Sequence, residues 1–338
     1  MGLKSSILEI KTVSVIGGGS WATALVKILC NKVEKVHWWM RDPDKAHYIR
    51  KYMHNPRYLS AVQFQRDKIE VSTDLSAVIS ESEIIVIATP SAFLMDVFGE
   101  RDNSNLENKT IFSAVKGIVP ELDLIPARFF HKRFGTPYKN IGIISGPCHA
   151  EEVALERLSY LTIACQDNER AETMARLMEC RYIKTQTSED LFGTELSAVL
   201  KNIYAVAAGI YHGLGYGDNF QAVLISNALQ EIERFVDALN PIHRDVKSSA
   251  YLGDLLVTAY SQFSRNRTFG SMVGKGYSVM SAQMEMNMTA EGYYAAKSII
   301  VINEKFKVDI PIATAVYRIL YEKMSPAVEM RILADKLH

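Results

Sequence analysis

The sequence predicts an α/β protein: a doubly wound parallel sheet in the first half, followed by an all-helical C-terminal domain. Three observations point there. Short runs of Val, Ile and aromatics alternate with helical stretches as far as about residue 188, a glycine-rich turn joins the first run to a helix, and beyond 188 long stretches of helical period take over. The 338 residues suit roughly two domains at about 150 residues each, here expected as 1–188 and 189–338.

In chain order, the runs 12–16, 35–39, 84–88, 110–114 and 141–145 read as buried strands. A further strand over 158–165 and a helix over 171–180 close this half. Later, 191–211, 221–239, 246–263, 290–306 and 312–324 read as helices, interrupted by Gly213, Gly215 and Gly217 and by Pro241 and Pro311.

Lys plus Arg and Asp plus Glu are 38 each, so the net charge is zero and no broad cationic field is available for nucleic acid or anionic lipid. Cys30, Cys148, Cys165 and Cys180 show neither CxxC pairing nor a zinc-like spacing to His, which fits a reduced, cytoplasmic setting and no metal. No apolar run reaches the ~20 residues that span a bilayer. The first strand begins too early to leave room for a signal peptide.

The run Val13-Ser14-Val15-Ile16 leads into Gly17-Gly18-Gly19-Ser20-Trp21-Ala22 and then into a helix, which is the dinucleotide fingerprint of Rossmann sheets in its proper context. Gly17 permits the tight turn, Gly19 lets a pyrophosphate approach the backbone, and Ala22 lets the helix lie close on the strand. The helix N-terminus offers free N–H groups to the phosphates. After the second run stand Arg41 and Asp42: an acid there takes the ribose hydroxyls of NAD and an Arg accepts the 2′-phosphate of NADP, so either cofactor is compatible. Other strands end in Thr89-Pro90-Ser91, Val115-Lys116-Gly117 and Ser145-Gly146-Pro147-Cys148, at the carboxyl edge where such sheets bind ligands. A lone Lys after a strand is ordinarily a surface residue; Lys116 gains interest from sharing this edge.

In the helical half, Leu196, Leu200, Ile203, Ala207 and Ile210 form one apolar stripe, and Lys201 lies off it on a face of Thr194, Ala198, Ala205 and Ala208. A lysine in such a shallow groove loses hydration, which lowers its pKa and suits it to proton transfer, although a lysine chosen at random more often snorkels to solvent. Asp254 and Thr258 share a helix face, and Ser264-Arg265-Asn266 offers a planar fork of donors for a phosphate. Thr289 and Glu291 open another helix, where capping is the plainer explanation.

Together these residues resemble the NAD(P)-dependent glycerol-3-phosphate dehydrogenases of bacterial type. The resemblance runs in order from about residue 12 to 300 through Gly17–Ala22, Val115-Lys116-Gly117-Ile118, Ser145–Ala154, Leu200–Ala205, Gly253-Asp254-Leu255, Ser264–Arg267 and Ala290-Glu291-Gly292. It implies reversible reduction of dihydroxyacetone phosphate to sn-glycerol 3-phosphate, a phospholipid precursor, with NAD or NADP as cofactor and a homodimeric state. By position it implies dinucleotide contacts from Ser20, Trp21, Arg41, Lys116, Ala150, Thr289 and Glu291, to which Gly17, Gly19, Ala22, Asp42, Pro90 and Arg265 are added. The substrate set is Lys116, Gly146, Cys148, Lys201, Asp254, Thr258, Ser264, Arg265 and Asn266, with Lys201, Lys116 and Asp254 catalytic. The chain departs from the family's usual residues at Ala22 (Gly), Cys148 (Ser or Thr) and Asn227-Ala228 (Arg-Gly).

Two other readings compete. One is a β-hydroxyacid or 6-phosphogluconate-type dehydrogenase on the same plan. The other is a non-catalytic dinucleotide sensor, which the joint presence of Lys201, Asp254 and Arg265 disfavours.

Overall fold

The computed structural model describes residues 10–99, 106–286 and 290–338. An eight-stranded sheet of order β3-β2-β1-β4-β5-β6-β7-β8 dominates the first half. Its strands are β1 (Thr12–Ile16), β2 (Lys35–Trp39), β3 (Ile69–Ser72), β4 (Ile84–Ile87), β5 (Thr110–Ser113), β6 (Ile141–Ser145), β7 (Ser159–Cys165) and β8 (Ile183–Ser188). The chain order reverses on either side of β1, between β2 and β4, which is the switch point where such sheets open a crevice. Val13, Val15, Ile85 and Val86 are fully buried, as strands covered on both faces require.

Two differences from the sequence reading concern the sheet. β1 to β6 run parallel, but β7 is antiparallel to β6, with Ser145 opposite Thr162 and Gly142 opposite Cys165. The segment between them turns back at the carboxyl edge through one short helix, α6 (Ala150–Ala154), too little to cross the sheet and return in parallel. The strands β3 and β8 were not expected. Both are edge strands, and Lys184, Gln186 and Thr187 leave β8 polar and exposed, with no run of apolar residues to announce it.

Helices α1 (Ser20–Leu29), α2 (Pro43–Tyr52), α3 (Leu75–Ser80), α4 (Leu94–Phe98), α5 (Pro126–Phe134) and α7 (Asn168–Met178) accompany α6 in covering the sheet. Beyond β8 come α8 (Leu191–Gly213), α9 (Asp218–Leu239), α10 (Asp254–Tyr260), α11 (Arg265–Gly274), α12 (Val279–Glu285), α13 (Glu291–Phe306), α14 (Pro311–Tyr321) and α15 (Pro326–Ala334). The helix expected over 246–263 is not continuous: a π-helical turn, Ser249–Gly253, leads into α10, and the chain breaks at Ser261 before α11 begins.

The helix α8 is buried on every side rather than along one stripe, because α9, α10, α11, α13 and α14 all pack around it and β6 touches it too. Close approach makes this possible. A Cβ on Gly209 would meet the Arg267 carbonyl oxygen at 2.1 Å, and one on Gly270 would meet that of Val206 at 2.1 Å, so only hydrogen fits where α8 crosses α11. At Asn227-Ala228, the Asn227 amide donates to the carbonyls of Val223 (2.9 Å) and His338 (2.8 Å), and Ala228 is fully buried.

Candidate active site

Sheet and helical half meet at a cleft of about 600 Å³ above the carboxyl ends of β1, β4 and β5. On the sheet side, β1 ends in the glycine loop. Gly17 has φ +138, and a Cβ there would meet the Ala88 carbonyl oxygen at 2.5 Å, so the turn accepts glycine alone. Gly19 is the N-cap of α1 with no side-chain capping bond, and among the described residues nothing lies within 4 Å of a Cβ placed on it. The first N–H groups of α1 therefore lie open beside the cleft, which Gly19, Ser20 and Trp21 line. Among the described residues the buried indole Nε1 of Trp21 has no partner, a donor left over for a ligand. These features fit a dinucleotide. Ala22 is fully buried and does not line the cleft, in keeping with close helix–strand packing.

The pair after β2 separates. Arg41 lines the cleft; Asp42 does not. The Asp42 carboxylate instead caps α2, accepting from the amides of Asp44 (3.1 Å) and Lys45 (3.2 Å), and pairs with the Lys45 ammonium at 2.9 Å. The carboxylate expected at a ribose is thus engaged at the start of α2, because Pro43 at the first helical position makes Asp42 the natural N-cap.

Across the cleft, Glu291 opens α13 and reaches back to the sheet half. It accepts from the Ser91 amide at 2.9 Å and from the Ser91 hydroxyl, joining the Pro90 loop to the helical half. Burial pushes the Glu291 carboxyl upward, against the pull of these bonds and of Arg265. Pro90 and Ala150 line the same cleft, while Thr289 lies outside the described residues.

The floor holds a buried charge cluster assembled from three elements. Lys201 of α8, at 4% exposure, donates to Asp254 Oδ1 at 2.5 Å and to Thr258 Oγ1 at 2.8 Å. Lys116, in the loop after β5, donates to the other Asp254 oxygen at 2.9 Å and to the Gly146 carbonyl at 2.8 Å. Asp254 is 1% exposed. Burial alone would raise its carboxyl, but the two ammonium groups outweigh that and hold it below the ordinary carboxylate range. Lys201 is pushed down to about 7, by burial first and by the neighbouring Lys116 charge, with Asp254 opposing.

Around this floor the side chains of the expected set divide. Cys148, Thr258, Ser264, Arg265 and Asn266 line the cleft with Lys116, Lys201 and Asp254. Gly146 does not line it, and acts through the carbonyl that holds Lys116. The Cys148 thiol donates to the Tyr160 carbonyl at 3.2 Å, and burial pushes it up to about 11, so it stands protonated. Ser264 caps α11 through the Arg267 amide at 3.3 Å. The Asn266 side chain is engaged at both ends, donating to Asn202 Oδ1 at 2.9 Å and accepting from the Gly292 amide at 2.9 Å. Asn202 in turn donates to the Lys116 carbonyl at 2.6 Å, which ties the Lys116 loop to α8, α11 and α13. Asn202 was not among the expected site residues; its signals in the sequence were its place beside Lys201 and within the run Leu200–Ala205. Neither were Lys45, Arg57, Tyr58, Phe93 and His149, all of which line the cleft. Among the described residues no group of His, Cys, Asp and Glu side chains is arranged to hold a metal.

Known proteins resemble the chain throughout. The family description NAD-dependent glycerol-3-phosphate dehydrogenase N-terminus matches residues 12–171, and its C-terminus counterpart matches 190–331. The glycerol-3-phosphate dehydrogenase [NAD(P)+] of Prosthecochloris aestuarii is 32% identical over 311 residues, 92% of this chain and 93% of the relative. The enzyme of the same name from Ectopseudomonas mendocina is 33% identical over 325 residues, 96% of this chain and 94% of the relative. The crystal structure of glycerol-3-phosphate dehydrogenase from Coxiella burnetii superposes with a TM-score of 0.88 at 27% identity, covering 96% of this chain and 98% of that one.

Proposed function

The chain belongs to the NAD-dependent glycerol-3-phosphate dehydrogenase family, and on that premise we propose the roles its residues take in the family's NAD(P)-dependent interconversion of dihydroxyacetone phosphate and sn-glycerol 3-phosphate. The observation that carries the proposal is the buried Lys116–Asp254–Lys201 cluster at the floor of the cleft, since proton transfer to a ketone needs an ammonium with a lowered pKa, held in place. The β-hydroxyacid and sensor readings have less support.

A bound nicotinamide dinucleotide supplies or accepts the hydride at the substrate's C2. In reduction, negative charge grows on the carbonyl oxygen, and Lys201 hydrogen-bonds that oxygen and delivers its proton, leaving a neutral amine. Lys116 adds positive field, and Asp254 holds both lysines through its two oxygens, so neither must reorient as the charge develops. Thr258 fixes the Lys201 rotamer by accepting a second bond from its ammonium. In oxidation Lys201 starts neutral and takes the hydroxyl proton. Ser20, Trp21, Arg41, Pro90, Lys116, Ala150, Arg265 and Glu291 would hold the dinucleotide, with the backbone of Gly17 and Gly19 beneath its phosphates. Cys148, Ser264, Arg265 and Asn266 would line the substrate's side, with Arg265 gripping its phosphate so that remote binding energy positions the carbonyl.

We propose likewise that the chain divides into domains at 188/189 and works as a cytoplasmic homodimer. Its four free cysteines are compatible with a reducing compartment. No helix among the described residues is long and apolar enough to cross a membrane.

Substrate class is tested at Arg265. Arg265→Ala is expected to raise KM for dihydroxyacetone phosphate by roughly 10–100-fold, the worth of a charge-assisted contact, while hardly changing turnover of unphosphorylated dihydroxyacetone. Equal losses on both ketones would show that Arg265 is not the phosphate anchor.

A further inference from the structure

Proton transfer and ligand binding leave Glu195 unused, although it is 1% exposed and stands on α8 two turns before the catalytic lysine. Both of its carboxyl oxygens accept from one amide, that of Ala127, at 3.2 and 3.3 Å. Ala127 belongs to the first turn of α5, where Pro126 has no N–H and the N-cap Ile125 has no side-chain capping bond. The first free donor of α5 is therefore satisfied from the other half of the molecule. Among the described residues no other hydrogen bond and no ion pair reaches Glu195; the Arg128 charge acts on it from a distance. Burial pushes the Glu195 carboxyl up to about 8, against the pull of the Ala127 amide and of Arg128. At neutral pH it stands mostly protonated, and glutamine is its isostere.

The amide that Glu195 holds is the far end of the segment that begins at Lys116. Between the two the chain reverses, with the Val119 amide donating to the Leu124 carbonyl at 2.9 Å. Ile118 and Ile125 are buried in the same core as Val199 of α8. The near end is held by Asn202, whose amide donates to the Lys116 carbonyl at 2.6 Å. Glu195, Val199 and Asn202 stand at i, i+4 and i+7 on one face of α8, with about 10 Å of helix between the first and the last. One helix face thus grips the Lys116 segment at both ends, and the same helix carries Lys201. Since Lys116 and Lys201 bond to the two oxygens of Asp254, the spacing of their charges depends on how that segment is seated.

We propose that Glu195 is a positioning residue for the reaction: by holding Ala127 it seats the Lys116 segment on α8 and keeps the Lys116 ammonium on Asp254, beside Lys201. Glu195 is absent from the lining of the cleft and acts only through Lys116. The inference rests on the roles proposed above for Lys201 and Lys116, and adds the residue that fixes their spacing.

Steady-state reduction of dihydroxyacetone phosphate by the full chain tests it, in a double-mutant cycle of Glu195→Ala with Lys116→Ala and with kcat followed across pH. With Lys116 present, Glu195→Ala is expected to lower kcat about tenfold, one charge-assisted contact's worth. The pH at which kcat falls is expected to move up by roughly one unit, because Lys201 loses the neighbouring positive charge that lowers it. In the Lys116→Ala background the same change is expected to alter kcat by less than about twofold. Glu195→Gln, which offers an oxygen of the same reach to Ala127, is expected to keep the wild-type kcat and pH profile. Glu195→Asp withdraws the carboxyl by one methylene; it is expected to behave as the alanine variant does, and it carries the test if that variant does not fold. A loss of kcat that is equal with Lys116 present and absent overturns the proposal, and so does a shortened variant with the wild-type kcat and pH profile. Wild-type turnover separates the two claims: a chain that reduces dihydroxyacetone phosphate and shows no coupling in the cycle keeps its family function and loses this role for Glu195. A wild type without that turnover loses both.

Discussion

The proton transfer proposed for Lys201 requires it both to hold and to release a proton near neutrality, and its surroundings supply opposing pushes. Burial and Lys116 disfavour its charge, Asp254 favours it, and the outcome is about 7. The direction of catalysis then sets the sign of the pH dependence. Reduction uses the ammonium, so its rate is expected to be full below about 7 and to fall as pH rises through that value. Oxidation uses the free amine and is expected to rise through the same window. Measuring kcat in both directions across this range checks the assignment; parallel profiles in the two directions would assign the proton to another group. The lysine's place on a face of small residues was legible in the sequence, because it follows from spacing along one helix. Its partners were legible only as candidates, since Asp254 and Lys116 lie far from it in the chain and only folding brings their charges onto one carboxylate.

At the scale of elements, the helix pair α8 and α11 links packing to function. Gly209 and Gly270 let the two backbones touch, and α11 begins at Arg265, so the crossing sets where the proposed phosphate anchor stands. Gly270→Ala would drive a methyl into the Val206 carbonyl. It is expected to destabilise the fold by about 1–3 kcal/mol, as overpacking does, and to raise KM for dihydroxyacetone phosphate by displacing α11. Denaturant midpoints and steady-state kinetics together check this; an unchanged midpoint would mean that the crossing tolerates a side chain. Elements also mark where sequence reading stops. The turn from β1 into α1 was readable because its glycines, strand and helix are contiguous. The edge strands β3 and β8 were not, because an edge needs no apolar run. Nor was the capping role of Asp42 drawn from the Pro43 beside it, since the ribose-binding expectation at that position competed with it.

For the whole molecule, the proposed catalytic cluster depends on two halves meeting. Lys116 and the glycine loop come from the sheet, Lys201, Asp254 and Glu291 from the helices, and the bonds Lys116–Asp254, Asn202–Lys116 and Glu291–Ser91 cross between them. The alternation of strands and helices, and the change of texture near residue 188, were visible in sequence because they are properties of local pattern. The cleft was not, because it exists only between the halves. The claim at its centre is that Lys201 is the proton donor of the reduction. The most direct measurement compares wild type and Lys201→Ala by following oxidation of the reduced dinucleotide with dihydroxyacetone phosphate at saturation, with cofactor affinity determined separately. The account predicts a fall in turnover of about 10²–10⁴-fold, the span of general acid catalysis, with cofactor binding retained. A variant that turns over at the wild-type rate would contradict it.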